Sequence, residues 1–411
     1  MPSEVKTVTL FLALSLGAAG LRAQFSFTLA GREVQIHSFA SQGFGYSNTN
    51  NYLTMKTSQG SFAMTDLGAN ASIQLTDRFQ IGAQVYSRNV GNLGNWHPQL
   101  DWAVADYRFK DWLGFRGGVV KTVFGLESDT QDFEFLHTFV LLPQSVYPID
   151  LRDALLRHRG GDLYGEIPLP RLGHLGYTVF AGRRSDSPYG GYPYLESAFG
   201  VRFDSFGGLQ VGQDLRWETP LKGLLVGASH ANSELTGRGT WMSVRPGQPA
   251  VTIPYEEHSK RNWTNQFYGQ YAAGKLRLTA EYRRYWFDQI FLNDTAEITA
   301  DVRGWYASAA YHLARHLQLG AYYSRWMVSW ETSLPGAVQA ASQDSPDRHL
   351  YDKVIAARID LTRHWNVKVE AHFMDGYGCI NVYPSGFYAQ DNPHGLKPRT
   401  SLLLLATGWS F

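Results

Sequence analysis

Apolar and polar residues alternate along most of this chain, with the period of two that is typical of a β-strand with one apolar and one polar face. In segment 276–285, Leu278 and Ala280 share one face, while Arg277 and Glu281 share the other. Two further segments follow the same pattern, 79–88 and 365–374. A Lys or Arg that faces lipid at mid-membrane costs about 2–4 kcal/mol. The charged face is therefore predicted to line a water-filled interior, and the apolar face to contact lipid.

Short and long connections alternate between these predicted strands. The short ones are polar turns, at 76–78, 110–111, 170–173, 219–223, 274–275, 314–316 and 362–364. The long ones are rich in Gly, Asn, Asp, Ser and Pro, and cover 47–60, 90–99, 125–159, 185–208, 234–260, 288–301, 331–350 and 377–397. This organisation predicts an all-β protein, a transmembrane antiparallel up-and-down β-barrel of about 16 strands, without separating 16 from 18. A soluble β-sandwich, the alternative, has no need of two loop lengths.

The N-terminal segment indicates export from the cytoplasm. Lys6 precedes an apolar run, 8–21, that is too short to span a bilayer. This pattern is typical of a secretory signal peptide, which we place at 1–23. Cleavage after Gly20 is the alternative to cleavage after Ala23.

The C-terminal strand ends on an aromatic residue. Phe411, Trp409, Leu405 and Leu403 lie on one face at period two. A terminal Phe that closes an alternating strand resembles the C-terminal signature of bacterial outer-membrane β-barrels. Residues 24–411 are therefore predicted to form a single barrel domain in the bacterial outer membrane.

Composition narrows the possible partners. Aromatic residues make up 14% of the chain and Gly contributes 41 residues, which suits a sheet with one lipid-facing and one wet face. The formal net charge is +1, so a nucleic-acid partner is not predicted. The single cysteine, Cys379, excludes an intrachain disulfide and a Cys-based metal site, and its role stays open.

The third long connection, 125–159, carries the candidate pore constriction. It holds acids, arginines and an apolar stretch, 133–142, which would aggregate in an exposed loop and is expected to pack against the barrel wall from inside. Such a loop would narrow the pore and set a transverse field. The predicted constriction residues are Lys121, Glu127, Asp129, Asp132, Glu134, Asp150, Arg152, Asp153, Arg157 and Arg159. The alternative is a loop on the rim or over a neighbouring subunit.

Charged residues on the polar faces of other strands are predicted to form the pore wall. They are Arg88, Arg116, Arg216, Arg277, Glu281, Arg283, Arg358, Lys368 and Glu370. Because both signs are present and neighbouring strands allow pairing, this wall is expected to favour neither cations nor anions strongly.

One stretch carries a family resemblance. Lys121-Thr-Val-Phe-Gly-Leu-Glu127, with the following Leu141-Leu-Pro-Gln-Ser-Val-Tyr147, resembles the phosphate-selective-type and DcaP-like porins. The resemblance implies a sixteen-stranded homotrimeric porin whose third loop folds into the channel. Val123 stands where that family has Pro. The chain has only 10 Lys, well spread, so phosphate selectivity does not transfer.

The sequence contains only weak signals for an enzymatic or metal-binding site. Ser229 lies in a half-match to a nucleophile elbow, but within an alternating strand rather than a strand-to-helix turn. His312 and His316 have the spacing of zinc ligands, but the segment is a strand end and the Glu is missing. We therefore predict no catalytic residue, no cofactor and no metal ligand.

The predicted function is a porin that allows passive diffusion of small hydrophilic solutes or ions, with outer-membrane lipid, the solute and two further copies of the chain as partners. The alternatives are an outer-membrane barrel enzyme of a phospholipase-like kind or a surface adhesin. The sequence does not identify the solute or the ion selectivity.

Overall fold

A computed structural model describes residues 25–243, 249–334, 337–340, 345–378 and 387–411. The predicted signal peptide and Cys379 lie outside the described residues. The described strands are β1 (Phe25–Leu29), β2 (Arg32–Ser47), β3 (Ser61–Thr76), β4 (Phe79–Val90), β5 (Gln99–Lys110), β6 (Leu113–Lys121), β7 (Arg157–Leu169), β8 (Gly173–Ser185), β9 (Val201–Glu218), β10 (Leu224–Ser233), β11 (Thr236–Ser243), β12 (Val251–Ala273), β13 (Leu276–Phe291), β14 (Ala296–Ala314), β15 (Leu317–Leu334), β16 (Ala337–Ala340), β17 (His349–Thr362), β18 (Trp365–Asp375) and β19 (Arg399–Ser410).

Helices are short and confined to the connections. The α-helices are α1 (Arg152–Leu155) and α2 (Gly191–Ser197), and the 3-10 helices are Thr57–Gln59, Glu134–Leu136, Ile149–Leu151 and Ala389–Asp391. Neither α-helix in the described part of the chain is long and apolar enough to cross a membrane.

The sheet closes into a barrel of sixteen antiparallel strands, as predicted. β10 and β11 share one place in the wall, because both pair with β9 on one side and β12 on the other. β16 pairs with the end of β15, and β1 pairs with the start of β2. Closure comes from the pairing of β19 with β2, where Leu404 lies opposite Gly45. At the end of this seam, the Phe411 amide donates to the Ser38 carbonyl at 2.7 Å.

All seven predicted short turns join consecutive strands, which end and restart at the expected residues. Outer-membrane barrels carry short turns on the periplasmic side and long loops outside. We call the two ends of this barrel the turn end and the loop end.

Two of the predicted long connections include residues that belong to strands. β11, β12, β13 and β14 extend through most of 234–260 and 288–301. The reason lies on their outer faces, where ion pairs such as Arg238 with Glu256 (3.1 Å) and Lys260 with Glu297 (2.7 Å) replace apolar residues. The backbone ladder continues there, but the apolar–polar alternation that marks a strand in the sequence is lost.

Burial alternates along the strands as predicted. On β13, Leu278 is 42% exposed on the outer face, while Glu281 is buried on the inner face. At the turn end, the rings of Trp365 and Trp409 stack with centroids 6.3 Å apart and form part of an aromatic girdle. The outer apolar belt reaches Leu209 on β9, which is 44% exposed. Towards the loop end, the outer faces of β11 to β14 carry ion pairs instead of apolar residues.

A hydrophobic core lies inside the barrel, and the sequence predicted only the contribution of the third loop to it. The inner face of β19 is apolar, with Leu402, Leu404 and Ala406 all buried. These side chains belong to one cluster with Leu141 of the third loop and Phe387 of the last loop. Loops folded inward therefore fill the side of the lumen next to β18, β19 and β2.

Candidate channel and its constriction loop

The third long connection crosses the interior of the barrel. We call it loop L3, residues 122–156, between β6 and β7. Its start was predicted at 125 and its end at 159, but the β6–β7 ladder continues to the pair Lys121 and Arg157. L3 is held by the inner faces of strands on three sides of the barrel, through three contact regions.

The first contact region joins L3 to the wall of β4 and β5. Arg152, only 2% exposed, donates to Asp101 at 2.7 Å, to Asp153 at 3.2 Å and to Asp132. Lys121 also binds Asp132, at 2.9 Å. The Arg152 guanidinium lies 3.8 Å from the ring centroid of Tyr86, on the inner face of β4. Buried charges are stable here because each is paired and hydrogen-bonded.

The second contact region joins L3 to β17 and β18. Lys368 forms an ion pair with Glu134 at 2.6 Å. Glu370 accepts hydrogen bonds from the amides of Val140 (2.7 Å) and Leu141 (3.2 Å). Arg358 donates to the carbonyl of Phe135 at 2.7 Å. These wall charges, predicted to face the pore, bind L3 backbone and side chains instead of lining an open surface.

The third contact region joins L3 to β12, β13 and β14. Glu281 accepts hydrogen bonds from the hydroxyls of Tyr147 and Tyr306, both at 2.7 Å, and from the Leu126 amide at 3.1 Å. Arg283 donates to the carbonyl of Val146 at 2.8 Å. A buried carboxylate with several donors is a stable anchor, because its lone pairs are satisfied without water.

The remaining predicted constriction residues have diverse environments. Asp150 is buried and accepts a hydrogen bond from the Tyr388 hydroxyl of the last loop at 2.8 Å. Glu127 is half-buried and Asp129 is exposed. Arg159 is exposed on β7 and alternates with the buried His158, which places it on the outer face rather than in the lumen. Asp132 and Arg152, both predicted to help set a transverse field in the pore, are in direct contact with each other.

The other predicted wall residues lie on inner faces. Arg88 is buried and donates to the Ile149 carbonyl of L3 at 2.6 Å. Arg116 lies 3.8 Å from Asp162 and Arg216 donates to the Gly125 carbonyl at 3.2 Å. Arg277 is exposed near the turn end. Arg116 and Arg216 thus face the space that L3 leaves open.

Three cavities follow one another along the inner face of β9. An upper cavity of about 410 Å³ reaches Val201 at the loop end. A neck of about 40 Å³ between L3 and the wall reaches Gln210. A lower cavity of about 270 Å³ reaches Asp214 and Arg216 near the turn end. We call them the upper vestibule, the neck and the lower vestibule.

The neck contains residues that the sequence reading missed. They are Phe124 of L3 and Arg184 and Gln210 of the wall, which join Arg283, a predicted wall residue. No carboxylate lines the neck within the described part of the chain. Arg184 had a detectable signal, since Arg183 and Arg184 are adjacent at the end of an alternating strand and must face opposite sides.

Comparison with known proteins gives the fold. No protein-family model and no curated sequence matches the chain. Among solved structures, OmpT, an outer membrane protein of Vibrio cholerae, is similar with a TM-score of 0.56 and 12% identity, over 94% of this chain and 99% of that one. The anion-selective porin from Comamonas acidovorans has a TM-score of 0.55 and 11% identity, over 92% and 100%.

The outer membrane channel DcaP of Acinetobacter baumannii is also similar, with a TM-score of 0.53 and 9% identity over 93% of this chain and 99% of that one. These similarities, together with barrel closure, the apolar outer belt and the inward third loop, confirm the predicted architecture. The chain has the fold of the porin-like β-barrels of the bacterial outer membrane.

Proposed function

We propose that this protein is an outer-membrane channel that passes small hydrophilic solutes or ions by passive diffusion. The observation that carries the proposal is the row of three cavities along the inner face of β9, narrowed beside L3. A polar lumen with one narrow, loop-lined segment admits small solutes and discriminates by size and charge. Aqueous solute and surrounding lipid are the partners this function implies.

Reconstitution tests the channel directly. In planar bilayers the purified protein is expected to give discrete conductance steps, and proteoliposomes should admit sugars more slowly as the sugars become larger. An assembled barrel that neither conducts nor admits sugars would contradict the proposal. Recovery of the native protein as a soluble periplasmic species would contradict its membrane location.

The neck gives a prediction about ion selectivity. Because Arg283 lines the neck without a carboxylate among the lining residues, the channel should favour anions there. Arg283→Glu is expected to change the anion-to-cation permeability ratio about tenfold towards cations, since the local charge changes by two. Reversal potentials across a KCl gradient measure this ratio. Arg283→Gln should give an intermediate value, and Arg159→Glu, on the outer face, should leave the ratio unchanged.

A barrel enzyme is less well supported by the residues present. On the outer face, His230 contacts Asn265 at 2.7 Å, an arrangement that could orient a general base. A serine nucleophile would have to contact the other ring nitrogen of His230. That position is taken by Asn232, the next outward residue on β10, at 2.8 Å. Ser229 faces inward and donates to Asp214 at 2.6 Å while accepting from the Gly125 amide, so it anchors L3.

A homotrimer is part of the proposal. A trimer form is described for the Vibrio cholerae OmpT. On this chain, small outward residues lie side by side on three strands, with Ala71 opposite Ala83 and Ala83 opposite Ala103. A flat patch of small side chains allows close backbone approach between subunits in lipid.

The alanine patch gives a prediction about assembly. Ala83→Trp is expected to convert the oligomer to monomers, because the indole prevents close approach while the outward position leaves the barrel interior unchanged. Unheated detergent gels and cross-linking measure the oligomeric state. Ala280→Trp is the matched control, since Ala280 is exposed on the outer face of β13, on another part of the wall. A stable oligomer in the Ala83 variant would place the interface elsewhere.

A further inference from the structure

The upper vestibule is enclosed by side chains at the loop end of the barrel, where the outer faces of β11 to β14 carry ion pairs. It lies between α2 and the loop-end parts of β9 and β11 to β15. Its volume of about 410 Å³ is that of a small-molecule site. No residue of L3 lines it, so it is separate from the constriction.

Aromatic side chains make up half of its lining residues. They include Tyr192, Phe199, Trp241, Tyr255, Phe287 and Trp330. Neighbouring rings fix some of them in place, because Tyr192 stacks on Phe206 with centroids 4.7 Å apart. The Trp241 indole donates to the Phe199 carbonyl at 3.1 Å. Faces of Tyr and Trp rings attract cations through their quadrupoles.

A buried carboxyl group is held among these rings. Glu257 is 2% exposed and accepts hydrogen bonds from Tyr255 (2.8 Å), Tyr192 (2.9 Å) and Gln289 (2.9 Å). A second carboxyl group, Glu196 on α2, lines the same cavity and is half-buried. Phenol and amide donors orient the Glu257 oxygens but supply no positive charge.

The described residues place no basic side chain in an ion pair with either carboxyl group. Arg348, which contacts the lining residue Trp330 at 3.9 Å from its ring centroid, pairs with Asp347 at 3.4 Å. Burial raises the pKa of Glu257 to about 7. Burial, together with the charge of Glu257, raises the pKa of Glu196 to about 8. A carboxylate that lacks a counterion in an aromatic cavity is complementary to a cationic ligand.

We propose that the upper vestibule binds an organic monocation that carries an aromatic or apolar body, with the positive group beside Glu257 and Glu196 and the body between the aromatic rings. Binding does not depend on permeation. The functional consequence, that such cations are concentrated at the mouth of the channel, rests on the proposed function.

Benzyltrimethylammonium is a suitable probe, because its charge does not titrate. Calorimetric titration of the detergent-solubilised barrel should show one site per chain. Tetramethylammonium, which lacks the body, and benzyl alcohol, which lacks the charge, should each bind at least about tenfold more weakly. If benzyl alcohol bound as tightly as the probe, the site would be a non-specific apolar cavity, and the proposal would be overturned.

The carboxyl groups can be tested by matched substitutions. At pH 9, where both carboxyl groups are ionised, Glu257→Gln and Glu196→Gln should each weaken probe binding about tenfold, since each removes a charge from the site. Glu196→Gln is the variant less prone to misfold, because the Glu196 side chain makes no hydrogen bond among the described contacts. Glu256→Gln, on the adjacent exposed position, should bind as the native protein does. Unchanged affinity in both cavity variants would overturn the proposal.

The pH dependence supplies a second readout. A cation binds better to the ionised carboxylates, so binding releases protons and probe affinity should rise as pH increases from 5 to about 9. Tyr192, Tyr255 and Arg348 keep one charge state over this range, and the double variant Glu196→Gln/Glu257→Gln should show a flat profile. A barrel that conducts without binding the probe would end this inference alone, whereas one that binds without conducting would end the channel proposal alone.

Discussion

An Arg152→Ala variant is expected to assemble as a barrel whose L3 has come away from the β4–β5 wall. The substitution leaves Asp101, Asp132 and Asp153 with one fewer buried cation, and breaking a buried ion pair from one side costs about 3–5 kcal/mol. Loop displacement relieves that cost, because Asp132 and Asp153 move with the loop. Single-channel conductance should therefore increase and become noisier, and proteinase K should cut within 122–156 in the otherwise resistant barrel.

Arg159→Ala is the control for this experiment. It makes the same substitution seven positions along the chain, on the exposed outer face of β7. It should keep the native conductance and protease resistance. A native conductance in the Arg152 variant, with the barrel folded, would mean that the β17–β18 and β13 contacts suffice to hold L3.

The second large effect is expected at the lipid-facing surface. Leu278→Arg places a charge within the outer apolar belt, at a cost of about 2–4 kcal/mol. The urea midpoint for unfolding from lipid vesicles should fall accordingly, and less of the protein should show the faster migration of an unheated barrel on a detergent gel.

Gln270→Arg is its matched control. Gln270 lies on the inner face of β12, next to the residue that pairs with Leu278, and is half-buried towards the lumen. An arginine there can reach water, so insertion should proceed as in the native protein. Equal loss of stability in both variants would mean that the two faces of this wall are assigned incorrectly.

The wall of the barrel was predictable because its signals are local. Each short turn places a few polar residues between two alternating strands, and the turn at 274–275 joins β12 to β13 where expected. The two-residue period also placed Glu281 inside and Leu278 outside. Such patterns require only neighbouring residues and the contrast between lipid and water.

The interior was less predictable, because its contacts join residues far apart in sequence. The length, charge and apolar stretch of L3 indicated a loop inside the barrel. They did not indicate that Glu134 would pair with Lys368, or that Glu370 would cap two L3 amides. The rule that inner faces are polar also failed at Leu402 and Leu404, because loops rather than water cover them.

The upper vestibule was missed for a related reason. Its aromatic residues, such as Tyr192, Trp241 and Phe287, come from separate segments of the chain, so they form no cluster in the sequence. Glu257 lies in a segment assigned to a loop, because the outer faces of β11 and β12 are charged. Only the register of β12 with β11 and β13, together with the hydrogen bond from Tyr192 of α2, shows that its carboxyl group is buried among rings.

The seam between β2 and β19 joins the two ends of the chain, which bears on how the barrel reaches its native state. Hydrogen bonds across the seam link residues about as far apart as the chain permits, as between Thr49 and Arg399. Contacts of such long range form late and slowly in folding. Until they form, β2 and β19 are free strand edges that can pair with other chains. The interval before closure is therefore the stage at which this protein is most prone to aggregation, and shielding those two edges is what an assembly factor would need to do.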